Sequence, residues 1–90
     1  MAKEIRFSPP VGIYFGRPGQ TRIVSSLREA AECMMSGKWP DISGAAFERA
    51  LRTFVDATEG RESAEQARAD FVQAVRESGI LAERDDLRPH

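Results

Sequence analysis

Apolar residues along this chain follow two different periods, and the change falls near Ser26. Before it they alternate: Val11, Ile13 and Phe15 share one side of a first extended run, and Thr21-Arg22-Ile23-Val24-Ser25 supplies β-branched residues to a second. Between the runs, Arg17-Pro18-Gly19-Gln20 suits a type II turn, because proline presets φ at the second position and glycine accepts the positive φ of the third. The economical reading is a β-hairpin. Ahead of it, Lys3 to Phe7 alternates through Ile5 and Phe7 up to Pro9-Pro10, which suits a third, edge strand.

From Ser26 the apolar period lengthens to three and four. Ser26-Leu27-Arg28-Glu29 has the form of a capping box, in which the serine oxygen and the glutamate each satisfy a backbone donor. Leu27, Ala30, Ala31, Met34 and Met35 then form a helical stripe that Gly37 ends, predicting a helix over Leu27 to Ser36. Trp39, held before Pro40, leaves helical geometry and is expected to fold over the core edge. A second helix, about Gly44 to Thr58, lines up Phe47, Ala50, Leu51, Phe54, Val55 and Thr58, with Glu48, Arg52 and Asp56 spaced for ion pairs on the other side. Ser63-Ala64-Glu65-Gln66 repeats the capping pattern and opens a third helix, whose inner face is Ala64, Ala67, Phe71, Ala74 and Val75 and whose stop is Gly79. The short connection between these last two helices implies an antiparallel pair. From Ala82 to His90 there is no periodicity, and a frayed tail is expected. The fold class is therefore α+β: an N-terminal antiparallel hairpin of two or three strands packed on three helices, with residues 1–81 as one domain.

Composition sharpens this picture in three ways. A chain of 90 residues has room for a single core. Hydrophobic content of 41% with 30% charged residues is that of a folded globular protein rather than a disordered one. Net charge is only -1, but Lys3, Arg6, Arg17, Arg22 and Arg28 against Glu4 give residues 1–28 a charge of +4, leaving -5 on the remainder. Charges interrupt the amino terminus where a signal peptide needs an apolar core, so a cytoplasmic protein without a membrane anchor is expected. The single cysteine, Cys33, permits neither an internal disulfide nor a thiolate metal cluster.

Read together, Pro10-Val11, Gly16, Arg22-Ile23, Glu29-Ala30, Trp39-Pro40, Gly44, Gly60, Ala67-Arg68 and Gly79 resemble a small bacterial family, the domain of unknown function numbered nine-eight-two, found chiefly in alphaproteobacteria. The resemblance runs from about Pro9 to Ile80, with Trp39-Pro40 its most specific mark. It implies a stand-alone hairpin-and-helix domain and carries no catalytic or binding residue.

Chemistry is sparse. Cys33 lies beside the first helical stripe, and the only histidine, His90, stands in the expected tail, so nothing supplies a base to activate the thiol. The pairs Glu29/Glu32 and Asp85/Asp86 read as solvated surface, and Met34-Met35 with Trp39 as core filling rather than an adaptable groove. Gly16-Arg17-Pro18-Gly19 fits a hairpin turn better than a phosphate cradle, since proline removes an amide. No catalytic, metal or cofactor site is expected, and an enzyme is the least favoured class.

Two binding readings remain. Arg17 and Arg22 would meet phosphates while Tyr14 stacks on a base, giving a weak nucleic-acid binder. The preferred reading is a protein-interaction or regulatory module that self-associates through its sheet, because a two-stranded hairpin is marginal alone and exposes pairing edges. Val11, Ile13, Phe15, Ile23 and Val24 are the expected dimer surface, in a symmetric homodimer.

Overall fold

The computed structural model of the chain describes residues 4–15, 19–39 and 44–82. Strands β1 (Arg6–Tyr14) and β2 (Thr21–Ser26) form an antiparallel hairpin, followed by helices α1 (Leu27–Met34), α2 (Ala45–Thr58) and α3 (Ala64–Glu77). The α+β order expected from the change of period is the one observed. Of the residues expected to form a separate third strand, Arg6 and Phe7 instead begin β1. Arg6 pairs with Ser26, then the register shifts across the proline pair before Val11 meets Val24 and Tyr14 meets Thr21. A proline cannot donate to a ladder, so the two prolines fall where pairing is interrupted. Arg68 on α3 closes this gap, its Nε donating to the Pro9 carbonyl at 2.6 Å.

Gly19 takes the positive φ expected for the turn, +83°, and Phe15 N–H bonds to the Gln20 carbonyl at 3.1 Å. Arg17 and Pro18 lie outside the described residues, as do Lys3, Pro40 and Asp41.

One sheet face and all three helices enclose an aromatic core. Phe71 is its hub, with ring centroids 5.7 Å from Phe7, 6.0 Å from Trp39 and 6.2 Å from Phe54. Each such fully buried ring stabilises the fold by about 1.5–3 kcal/mol in transfer terms. Trp39 goes further inward than an edge cover: it is 5% exposed and packs on Phe47, and its Nε1 donates to Ser78 Oγ at 2.8 Å. On α2 the buried face is Ala46, Phe47, Ala50, Thr53, Phe54 and Ala57, so Val55 and Thr58, expected inside, are outside. Small residues on α2 and α3 let the helices approach closely, and the shift of face brings the Thr53 hydroxyl to donate to Asp70. The stripe of α1 turns likewise: Ala30, Cys33 and Met34 are buried, whereas Met35 is 72% exposed because the helix ends before it.

Gly79 ends α3 as expected, and the chain beyond it returns to the sheet. Gly79, at φ +73°, closes α3 with Gly79 N–H on the Arg76 carbonyl and Ile80 N–H on the Val75 carbonyl, a Schellman motif. The reversal lays Ile80 to Ala82 along β1. Tyr14 N–H donates to the Ile80 carbonyl at 2.7 Å, Ala82 N–H donates to the Gly12 carbonyl at 3.0 Å, and Leu81 bridges Ile13. Ala82, the first residue of the expected tail, is buried.

Candidate functional site

The strap at Ile80 to Ala82 decides which part of the sheet is open. Because Gly12 and Tyr14 direct their backbone groups to the strap, alternation gives Val11 and Ile13 to β2. Their partners Val24 and Arg22 therefore face inward along the ladder, and Thr21, Ile23 and Ser25 turn theirs to the far edge. Among the described residues β2 pairs with β1 alone, so that far edge is an open one. It is closed at one end. Glu29 Oε1 accepts from Ser25 N–H at 2.7 Å and from Ser25 Oγ at 2.9 Å.

This contact is also the observed form of the capping box. Ser26 Oγ accepts from Glu29 N–H at 3.2 Å as expected, but the glutamate reaches back to Ser25, one residue earlier than the pattern implies. The two Ser25 donors hold the Glu29 carboxyl below the usual glutamate range, with a smaller contribution from Arg22 and Arg28. The second box is only half formed: Ser63 Oγ caps Gln66 N–H, while the Gln66 amide donates forward to Asp70.

Side chains sort onto two faces. Val11, Ile13 and Val24, expected at a dimer surface, are buried in the protomer's own core. Phe15 is half-buried at the end of the hairpin. Ile23 alone of the five stands well out, 51% exposed on the face opposite the helices. Strand alternation puts Tyr14 on that outer face with Thr21, and Arg22 on the inner face with Ile13. Tyr14 and Arg22 thus lie on opposite sides of the hairpin, which divides the proposed nucleic-acid contact. Arg22 is directed at α1, 4.0 Å from Glu32, and Glu32 also lies 3.6 Å from Arg28. Glu29 and Glu32 were legible only as helix surface; the tertiary fold brings them beside the open edge.

Cys33 is the other candidate the structure relocates. It is 1% exposed and belongs to the core rather than its flank, and burial raises its thiol above the ordinary range, which keeps it protonated and unreactive. Among the described residues there is no group of three His, Cys, Asp or Glu side chains arranged for a metal ion. Among them, too, no helix is long and apolar enough to cross a membrane.

A hairpin strapped by Ile80 to Ala82 and backed by three helices defines the class: a small α+β domain whose open side, among the described residues, is the β2 edge and its rim on α1. The chain belongs to the family described as Protein of unknown function (DUF982), which matches residues 9–82. That match ends on Ala82, the residue that completes the strap, two residues beyond the span expected from the sequence. Comparison with curated proteins gives no match, and comparison with solved structures gives none.

Proposed function

We propose that this protein is a non-enzymatic interaction module that binds a second copy of itself through the open side of β2. The observation that carries the reading is Ile23, a large aliphatic side chain half exposed on a strand that, among the described residues, pairs on one edge only. Exposed edges with apolar side chains are templates for strand addition, and a second chain would satisfy the outward amides while covering Ile23. Of the five residues expected at the surface, Ile23 is the exposed one, which supports placing the contact there. Net charge near zero does not oppose self-association.

The test is the mass in solution, measured by sedimentation equilibrium over a wide concentration range, for the parent chain and for Ile23→Lys. The parent is expected to shift from monomer to dimer mass, and the variant to stay monomeric with an unchanged circular dichroism spectrum. A parent that remains monomeric throughout overturns the reading.

A further inference from the structure

We infer that the two copies meet on a two-fold axis at Ile23, with Arg22 and Glu32 of both chains gathered into a neutral four-charge cluster beside the axis. This rests on self-association through β2 and specifies its geometry.

The backbone limits the choices. Ser25 N–H is already taken by Glu29, so, among the described residues, β2 turns the amides of Thr21 and Ile23 to its outer edge for a second strand. An antiparallel two-fold placed on Ile23 lets the two isoleucines exchange both backbone hydrogen bonds, and gives each Thr21 N–H the other chain's Ser25 carbonyl. Their side chains then meet on the outer face, where the neighbouring position on β1 is Gly12 and leaves room. Shifting the axis to Arg22 also permits pairing, but sets Arg22 directly against Arg22 of the second chain. Like charges facing across strands are destabilising, so the Ile23 register is favoured.

Area points to the helix. A strand edge this short falls well below the roughly 800 Å² per partner of a stable interface, so α1 has to contribute. Its Glu29 already touches the edge, and Glu32 stands next to Arg22, one residue from the axis. Arg22 and Glu32 keep 41% and 55% of their side-chain surface exposed and pair loosely within one chain, which leaves both able to reach across. Two copies supply two positive and two negative groups, a self-complementary arrangement that a partner of uniform charge would not match.

Charge reversal and mixing test this. Arg22→Glu gives a dimer cluster of four acidic groups and Glu32→Arg one of four basic groups, so each variant alone is expected to self-associate at least about tenfold more weakly than the parent. Mixing the two restores a neutral cluster. The mixture, with one variant fluorescently labelled and followed by sedimentation velocity, is expected to form heterodimers close to parental affinity, as is the double variant R22E/E32R with itself. Both positions are exposed, and circular dichroism verifies folding. Single variants that associate as the parent does, or a mixture that fails to recover, overturn the axis placement while leaving a dimeric parent and the proposed function intact. A monomeric parent removes both.

Discussion

The α2–α3 pair and the β2–α1 corner belong to one small domain but dispose of their polar groups in opposite ways. Between α2 and α3, the Thr53 hydroxyl reaches Asp70, Asp70 also receives Gln66, and the buried faces are alanine and phenylalanine. Arg61, just past α2, pairs with both Asp56 and Glu59. The corner instead keeps Ile23 in solvent, spends one glutamate on the edge and holds Arg22 in a loose pair. Burial and satisfied hydrogen bonds make the first region the source of stability. Incomplete burial makes the second the place where the proposed second chain would gain most.

Removing the hub of the core should give the largest effect. Phe71→Ala takes away a fully buried ring that touches Phe7, Trp39 and Phe54, and is expected to lower stability by about 3–5 kcal/mol, read as a fall in the urea midpoint. Since small domains hold only ~5–15 kcal/mol in total, the variant is expected to sit near the unfolding threshold. A loss of under about 1 kcal/mol would move the source of stability away from the helical pair. At the next scale, Ser78→Ala strands the Trp39 indole N–H, buried and without its acceptor, for an expected loss of about 1–3 kcal/mol and a changed tryptophan emission spectrum. Unchanged stability and emission would show that the indole finds another acceptor.

The same contrast explains what was legible in the sequence. The helices and the hairpin turn announced themselves because periodicity, serine caps and Gly19 are local signals, and Phe47, Phe54 and Phe71 were readable as core from spacing alone. Which flank of a stripe turns inward was not. Val55 and Cys33 exchange places with the expectation because tertiary packing, not the helical wheel, chooses the buried arc. The strap at Ile80 to Ala82 was invisible for a different reason: three residues carry no period, and their role depends on a strand nearly seventy positions earlier. Without the strap, β1 has a free edge and the whole hairpin looks open; with it, the open edge among the described residues is that of β2. Of the five residues expected at the surface, Val11, Ile13 and Val24 are buried for the same reason, since they alternate toward the helices.

The smallest expected effect lies at the closed end of the β2 edge. Glu29 titrates below the usual glutamate range in the folded chain because its carboxylate accepts from the Ser25 amide and hydroxyl. A group whose folded pKa is lowered contributes stability that is present above its unfolded value and is lost as pH falls through the folded one. That contribution is therefore expected to persist at neutral pH and to fade below the ordinary glutamate range. Glu29→Gln keeps an acceptor but removes the charge, so its urea midpoint should fall less steeply than the parent's as pH drops from 7 toward 3, with the curves converging at the acid end. The Ser25 amide supplies the local readout, because it should exchange with solvent faster in Glu29→Ala than in the parent at neutral pH. Superimposable pH curves together with unchanged Ser25 exchange would mean that the glutamate does not close the edge, and that strand pairing could extend past Ile23 toward Ser25.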